Sequence, residues 1–280
     1  MLVNFIDMLE KAKENNYAVP HFNINNLEWT KYILEKCDSL RIPVILGVSP
    51  NAAQYMGGYQ VSVALVKSLI KSLNITIPVC LHLDHGTKDD CTKAIEAGFT
   101  SVMIDASKYN ILKNIEITKE VVNYAHQKNV SVEAEVGSIG NSNTEGNCAK
   151  LEECLKLYNE AKIDALAPAI GNTHGIYIEK PNLNFELVKE LKNKLNIPLV
   201  LHGGSGINKE EIKKLIKLGI CKININTDLQ LVWKKRLDQF IKENPNIYDP
   251  RKIFNSTKQD FDVKIEELVK LFETKRVTDL

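Results

Sequence analysis

Histidines that follow short apolar segments are the residues whose type and spacing point most directly to chemistry. His85, His174 and His202 each come at or near the end of a different apolar, β-rich run, and each lies beside Gly or Asp. Imidazole nitrogen is a preferred ligand of Zn²⁺, and catalytic zinc sites commonly use three protein ligands and leave the fourth position to water or substrate. One such histidine alone would more often be an ordinary hydrogen-bonded residue. Three of them together predict a zinc site with an open position.

The other three histidines do not extend this set. His126 lies among polar residues on a predicted helix, which indicates a surface position. His21 belongs to the first apolar run, and we interpret it as structural. His82 shares a strand face with Asp84, because residues two apart point to the same side of a strand. It either supports the site or packs in the core.

Acidic residues accompany the histidines. Asp84 precedes His85 at the end of an apolar run, where a carboxylate is costly unless a metal, a hydrogen bond or catalysis requires it. We predict that Asp84 is a general acid/base for a substrate hydroxyl, the alternative being that it orients a histidine. Asp105 ends the fourth run, and Glu133 and Glu135 lie in the fifth. We predict that Asp105 and Glu135 support the metal ligands through hydrogen bonds.

Two polar segments after the last two apolar runs are typical of a phosphate site. The segment GGSG follows the seventh run, and NINT ends the eighth. Backbone N–H groups at a helix start bind phosphate, and Gly lets the ligand approach closely. In (β/α)₈ barrels the loops after strands seven and eight form the usual phosphate site. The candidate contacts are Gly203, Gly204, Ser205, Asn224, Asn226 and Thr227.

A long polar loop is a candidate lid. Residues 137–149 read GSIGNSNTEGNCA, a Gly-rich segment that suits a loop closing over an active site. Glu145 is its only acidic residue, and is therefore its best candidate for proton abstraction.

These residues are positioned by an alternation of β-rich runs and helical stretches. Near-continuous apolar runs separated by amphipathic helices indicate parallel strands covered on both faces. Eight of them favour a (β/α)₈ TIM barrel over an open doubly wound sheet. We predict one domain over residues 1–280, with an extra helix near Lys258–Thr274 outside the barrel. The eight runs are Ala18–Ile24, Pro43–Ser49, Pro78–His85, Ser101–Ala106, Ser131–Gly137, Ala165–Gly171, Pro198–Gly204 and Lys222–Thr227.

Bulk composition limits the function classes. A chain of 280 residues suits one barrel of ~250 residues. The net charge of +1, without a cluster of basic and aromatic residues, gives no support to nucleic-acid binding. The six cysteines include no CxxC pair, which indicates reduced thiols. We expect no signal peptide. No apolar run approaches the ~18 residues of a membrane span. We therefore expect a cytoplasmic protein without a membrane partner.

The motifs HLDHG, GNTHG, LHGGSG and KININT, in this order and spacing, resemble those of class II fructose-bisphosphate aldolases. Tagatose-bisphosphate aldolases are close relatives. The resemblance extends from VPHFNINN (Val19–Asn26) to YDPRK (Tyr248–Lys252). It implies reversible cleavage of fructose 1,6-bisphosphate to dihydroxyacetone phosphate and glyceraldehyde 3-phosphate, without a Schiff-base lysine.

The resemblance also implies residue roles. Zn²⁺ on His85, His174 and His202 would polarise the ketose carbonyl, Asp84 would exchange the proton of the C4 hydroxyl, and a lid glutamate would exchange the proton at the dihydroxyacetone-phosphate carbon. A monovalent cation, Na⁺ or K⁺, near the phosphate and a homodimer or homotetramer are further implications. The implied substrate contacts are Gly175, Gly203, Ser205, Asn224 and Thr227, with Asn23 and Ser49 nearby.

Some positions depart from the family pattern. His21 stands where the family usually has Ala, and the lid reads GNSNTEG where GG-x-ED is common. The sequence after DPRK also differs from the family pattern. We interpret Arg251 as either a second-phosphate residue or a subunit contact. Asn226 and Gln230 resemble the fructose type more than the tagatose type.

Four alternatives stay open. A tagatose-1,6-bisphosphate aldolase would use the same chemistry with opposite stereochemistry at C4. A zinc-dependent barrel hydrolase commonly has His-x-His on the first strand, where this chain has His21-Phe22-Asn23. A Schiff-base aldolase would need Lys222, which is expected at the start of the eighth strand and so at the wrong end of the barrel. A non-catalytic metabolite-binding barrel would have no need of Asp84 beside three histidines.

Overall fold

Eight parallel strands form a closed barrel in the computed structural model, which describes residues 2–141, 146–177 and 179–279. The barrel order is β1-β10-β9-β7-β5-β4-β3-β2, so the first and last strands pair and no edge is left. Each predicted run overlaps one barrel strand, which confirms the (β/α)₈ prediction. The strands are β1 (Val19–Asn23), β2 (Val44–Val48), β3 (Val79–Gly86), β4 (Ser101–Ile104), β5 (Ser131–Val136), β6 (Gly140–Asn141), β7 (Ala165–Pro168), β8 (Thr173–His174), β9 (Leu199–Leu201) and β10 (Ile220–Ile225).

Helices connect the strands and cover the barrel. Short polar residues begin several of them. The Thr87 side chain accepts a hydrogen bond from the backbone N–H of Asp90, and the Asp90 side chain accepts one from that of Thr87, which starts a helix directly after β3. This abrupt junction leaves the end of β3 at the barrel rim. The helices are α1 (Ile6–Asn15), α2 (Leu27–Leu40), α3 (Pro50–Met56), α4 (Tyr59–Ser72), α5 (Lys88–Ala97), α6 (Ile111–Gln127), α7 (Leu151–Ala161), α8 (Phe185–Lys194), α9 (Lys209–Lys217), α10 (Thr227–Glu243), α11 (Pro250–Asn255) and α12 (Lys258–Leu271), with a 3₁₀ turn at Val277–Asp279.

The two ends of the barrel interior differ in chemistry. At the end where the strands begin, Phe5, which precedes α1, and Met8 and Leu9 of α1 join a buried apolar cluster with inward-facing strand residues such as Val19 and Ile45. A second, larger cluster lies between the strands and the surrounding helices. Because apolar side chains fill the lower end, the polar inward-facing residues are concentrated toward the ends where the strands finish.

Two features of the strands were not predicted. β6 and β8 form a short parallel pair outside the barrel, and His174 lies in it. β10 begins at Ile220, two residues before the predicted start, so Lys222 lies within the strand. The predicted strand start was wrong, because the apolar pair after Gly219 already pairs with β9. Lys222 is in register with Val19, the first residue of β1, so it lies toward the end where the strands begin, as expected. Its side chain is completely buried.

The extra C-terminal helix is confirmed as α12, which ends three residues before the predicted boundary. Phe261 packs edge-on against Trp29 of α2, with ring centroids 4.8 Å apart. None of the described helices is both long and apolar enough to cross a membrane.

Candidate active site

Three histidines meet at the rim where the barrel strands end. One ring nitrogen from each of His85, His174 and His202 lies within 4.8 Å of the others, and we call these three residues the outer group. His85 Nε2 and His202 Nδ1 are 2.9 Å apart. β3 supplies His85, the end of β9 supplies His202, and the β6–β8 pair holds His174 over them. The three histidines predicted from the strand ends therefore lie close together.

Carboxylates fix the far side of two of these rings. His85 Nδ1 donates to Asp105 at 2.9 Å, and His202 Nε2 donates to Glu133 at 2.7 Å. When both rings are neutral, these bonds leave the lone pairs on His85 Nε2 and His202 Nδ1, the two nitrogens that face each other. A carboxylate behind a histidine is the usual support of a metal-bound imidazole. The donor set of three imidazoles fits Zn²⁺.

The charges around the outer group favour neutral rings at two positions. Burial and the neighbouring His85 lower the pKa of His174 to about 4, and hold that of His202 well below its usual range. Burial also opposes charge on His85, but the hydrogen bond to Asp105 and the nearby carboxylates raise its pKa to about 9. Three ring nitrogens so close together cannot all keep a proton, so a cation that accepts their lone pairs suits the arrangement.

The backbone at His85 is in an unusual conformation. Its φ is 53°, in the left-handed region that non-glycine residues seldom adopt. The β3–β4 register also shifts between Leu83 and Gly86. Irregularities of this kind re-aim a side chain next to active sites, and here they turn His85 toward His202.

Asp84 lies just inside the outer group and is 7% exposed. Its Oδ1 is 4.0 Å from both His85 Nε2 and His202 Nδ1. Asn23 donates to Oδ2 at 2.8 Å, and Asn224 donates to Oδ1 at 3.4 Å. Burial opposes the charge, but the positive charge of the adjacent His85 holds the pKa of Asp84 well below its usual range. The carboxylate is therefore ionised and held in place by two amides.

A cleft of about 220 Å³ opens above these groups. Ser205 and the start of α10 form one side, and the backbone N–H of Asp228 donates to Ser205 Oγ at 3.1 Å. Ser49 lies on another side, where it caps α3. The residues that line the cleft are Asn23, Ser49, Asp84, His85, His174, Gly175, His202, Gly203, Ser205, Asn224, Asn226 and Thr227.

Known proteins carry the same combination of barrel and motifs. Residues 3–276 match the family described as "Fructose-bisphosphate aldolase class-II". The chain belongs to this class II aldolase family. It is 48% identical over 258 residues to the fructose-bisphosphate aldolase of Geobacillus stearothermophilus, with 90% of each chain covered. It is 46% identical over 270 residues to that of Mycoplasma genitalium, with 92% of this chain and 93% of the relative covered.

A solved structure supports the same assignment. The YdjI aldolase from Escherichia coli K12 superposes with a TM-score of 0.85 at 31% identity, and the match covers 98% of both chains. The resemblance read from the motifs is therefore confirmed for the family and for the fold.

Two of the residues expected at the substrate site of a class II aldolase lie elsewhere. A Cβ on Gly204 would come within 2.5 Å of Ile223 Cγ2, so this glycine is needed for packing against β10 and does not line the cleft. Arg251 is on α11, where its side chain is 89% exposed and pairs with Asp249. Arg251 does not line the cleft of its own chain, because its guanidinium group is directed to Asp249. The lid residue Glu145 lies outside the described residues.

Gly203 has a clear structural requirement. Its φ is 60°, and a Cβ there would lie 2.0 Å from the carbonyl oxygen of Thr173. The Tyr177 hydroxyl donates to the Gly203 carbonyl and accepts from the Thr173 N–H. Gly203 therefore lets the strand that carries His174 approach the end of β9.

Two buried residues that support the site were not predicted in this role. Glu133, rather than Glu135, accepts the hydrogen bond of His202, and Lys222 donates to the second oxygen of Glu133 at 2.8 Å. Glu135 Oε2 comes only to 3.7 Å from His85 Nδ1. Burial and the neighbouring Asp105 raise the pKa of Glu135 to about 8. Strand alternation could have placed Glu133 and Glu135 on one face, but not which of them reaches which histidine.

Proposed function

We propose that this chain is a zinc-dependent fructose-bisphosphate aldolase that cleaves fructose 1,6-bisphosphate reversibly to dihydroxyacetone phosphate and glyceraldehyde 3-phosphate. The observation that carries the proposal is an ionised Asp84 held 4.0 Å from the ring nitrogens of two members of the outer group, at the base of a cleft. Family membership and the printed names of the relatives agree with this reaction.

His85, His174 and His202 would hold the metal. Zn²⁺ bound there supplies a Lewis acid that polarises the ketose carbonyl. Asp105 and Glu133 orient two of the ligands by accepting their distal N–H groups. This support is what a ligand needs to keep one lone pair directed into the site.

Asp84 is the general base for the C4 hydroxyl in cleavage. Its low pKa keeps it ionised, and the amides of Asn23 and Asn224 fix its orientation. It accepts the hydroxyl proton as the C3–C4 bond breaks, and returns that proton in the condensation direction. Glu145 is our candidate for the other proton transfer, at the dihydroxyacetone-phosphate carbon.

Phosphate recognition falls to the rim after β9 and β10. Gly203, Ser205, Asn226 and Thr227 line the cleft at the start of α10, where backbone N–H groups favour an anion. Gly175 and Asn224 complete this side, and Asn23 and Ser49 lie near the rest of the sugar. A monovalent cation beside the phosphate remains part of the proposal.

The rival reactions fit the site less well. Lys222 does not line the cleft, and its ammonium is paired with Glu133, which disfavours a Schiff base. A hydrolase would have no use for the cleft's Gly- and Ser-rich rim beside the histidines. A tagatose-bisphosphate aldolase keeps the same machinery, but the relatives named above carry the fructose name.

The assembly and location are expectations from the same proposal. We propose a homodimer or homotetramer in the cytoplasm. Arg251, exposed on α11, would then serve a neighbouring copy or its second phosphate.

The test is cleavage of fructose 1,6-bisphosphate by the purified chain, with tagatose 1,6-bisphosphate run in parallel. We expect both products from the fructose sugar, loss of cleavage with a chelator, and recovery with zinc. Preference for the tagatose sugar would move the assignment to the sister activity. Full cleavage in metal-free protein would overturn the zinc proposal.

A further inference from the structure

A second group of possible metal ligands lies deeper in the barrel than the outer group. His21, His82 and Asp84, which we call the inner group, each place one ligand atom within 4.8 Å of the others. His21 and His82 come two residues before Asn23 and Asp84 on their strands, so they point into the barrel one layer below the cleft. Both histidines are completely buried, and their ring centroids are 5.5 Å apart.

The hydrogen bonds around His82 fix which of its nitrogens carries the lone pair. The Ser101 hydroxyl donates to the Ser131 carbonyl, so Ser101 Oγ must accept from His82 Nδ1, at 2.8 Å. A neutral ring has only one N–H, so Nε2 is left with a lone pair. His82 Nε2 has no hydrogen-bond partner in the described part of the chain, and the nearest carboxylate oxygen, on Glu133, is 3.8 Å away. His82 Nε2 is therefore a buried acceptor that receives no hydrogen bond from the described residues.

His21 presents the same situation from the neighbouring strand. Both of its ring nitrogens lack a hydrogen-bond partner among the described residues. The ring packs on Gly47, where a Cβ would lie 1.9 Å from His21 Nε2, so the glycine makes room for this imidazole. Burial and the charge of Lys222 lower the pKa of His21 to about 3. The ring is therefore neutral and offers one lone pair.

Charge balance makes a cation acceptable beside these lone pairs. Lys222 is the buried cation of this layer, and Glu133 neutralises it at 2.8 Å. Asp84 places a carboxylate oxygen within 4.8 Å of a ring nitrogen of each of the two histidines. Buried polar atoms normally find partners, and leaving several of them unpaired is costly. Two imidazoles and one carboxylate whose ligand atoms lie within 4.8 Å of one another form a donor set that zinc accepts.

We propose that the inner group is a second metal site, selective for Zn²⁺ or a similar divalent transition metal, with His21, His82 and Asp84 as its protein ligands. Imidazole donors favour such metals over Mg²⁺ or Ca²⁺, which prefer oxygen ligands. The competing occupant is a buried water that bonds to the same three residues.

Occupancy of the inner site has a consequence that rests on the proposed function. Asp84 would then be both the proposed base of the active site and a ligand of the metal in the inner group. A carboxylate bound to a second metal is a weaker base for a substrate hydroxyl. Zinc beyond the first equivalent is therefore an inhibitor of cleavage, acting through Asp84.

The test counts zinc in the full-length protein after equilibration with excess zinc and gel filtration, by elemental analysis. We expect two zinc ions per chain. His21→Phe, which keeps a ring against Gly47 and removes the donor nitrogens, loses one, and His174→Ala loses one from the outer group. His126→Ala is the matched control, because His126 is paired with Asp164 at the surface, and it retains two.

Anomalous scattering at the zinc edge from crystals of the unaltered protein provides a measurement that needs no variant. A peak among His21, His82 and Asp84 supports the inner site. One zinc per chain, with only water density at that position, overturns it.

Activity separates this failure from failure of the proposed function. We expect excess zinc to depress fructose 1,6-bisphosphate cleavage in the unaltered chain. In His21→Phe, the ratio of the cleavage rate in excess zinc to the rate at one zinc per chain should approach unity. Cleavage with a single zinc and no such inhibition would leave the aldolase assignment standing and sink the inner site. Two bound zinc ions at saturation, with no cleavage at one zinc per chain either, would support the inner site and sink the aldolase assignment.

Discussion

The histidines of the outer group and those of the inner group lie on opposite sides of Asp84. They differ in the groups that hydrogen-bond to the far side of their rings. In the outer group, Asp105 and Glu133 accept the distal N–H groups of His85 and His202. In the inner group, His82 is held by a serine hydroxyl, and no described residue bonds to the ring of His21. The outer group also opens to the cleft, whereas the histidines of the inner group are completely buried.

The difference indicates how one barrel can separate a working metal site from a weaker one. A carboxylate behind an imidazole fixes its tautomer and raises its basicity, so the outer rings are prepared for a metal before it arrives. A hydroxyl fixes the tautomer of His82 without adding charge. We therefore expect the outer group to fill with zinc first.

Loss of the Asp84 carboxylate is the largest expected effect. Asp84→Asn keeps the shape of the side chain and removes the base, so kcat for fructose 1,6-bisphosphate cleavage should fall by roughly 10²–10⁴-fold. Added zinc should not restore it. Asp105→Asn is the comparison, since its defect lies in holding His85, and its cleavage should recover as added zinc fills the outer group. Equal recovery of both variants would contradict an acid/base role for Asp84.

Removing the carboxylate behind His202 should weaken the outer group next. Glu133→Gln is expected to lower the zinc affinity of the outer group by about 10–100-fold, measured by competition with a chromophoric chelator. Glu135→Gln should change it less, because Glu135 makes no hydrogen bond to a ligand ring and stands 3.7 Å from His85 Nδ1. The double variant Glu133→Gln/Lys222→Met separates the contribution of the buried ion pair to stability. Its zinc affinity should stay low even if its stability recovers.

The inner group can be disturbed without touching a ligand. Gly47→Ala places a methyl where His21 Nε2 now lies, and such overpacking should lower the free energy of unfolding by about 1–3 kcal/mol. Denaturant unfolding of metal-free protein measures this. We expect zinc affinity of the outer group to stay near its original value. A loss of outer-group affinity larger than that of Glu133→Gln would show that the two groups are not separable.

The smallest effect is expected at Arg251. Its side chain is exposed and pairs only with Asp249, two residues away, among the contacts described for it. Arg251→Ala should change the free energy of unfolding by less than about 0.5 kcal/mol. A rise in KM with unchanged stability would place this side chain in the cleft of another copy.

Prediction from the sequence succeeded where the residue pattern within single strands and helices was sufficient. Alternation of apolar runs and helices predicts the barrel, and the strand-end rule predicts His85, His174 and His202 at one rim. It failed where several strands must be aligned. Which glutamate of β5 reaches His202 depends on the register of β5, β9 and β10. The inner group depends on Gly47, which pairs with His82 on β3 and leaves room for the ring of His21.

The error of two residues in the start of β10 has a similar cause. The start was taken from Lys222 at the beginning of an apolar run, but it is set by pairing of Ile220 with Leu199 on β9. The two-residue pair β6–β8 is also too short to leave a pattern of its own in the sequence. Arg251 was assigned from its motif, and no single-chain pattern could say that α11 keeps it away from the cleft.

The most direct test of the account is a zinc titration of metal-free protein while fructose 1,6-bisphosphate cleavage is measured. We predict almost no cleavage without zinc, a rise that is complete at one zinc per chain, and a decline as a second binds. Full activity in protein shown by elemental analysis to be free of metal would contradict the claim that the outer group acts through a bound metal.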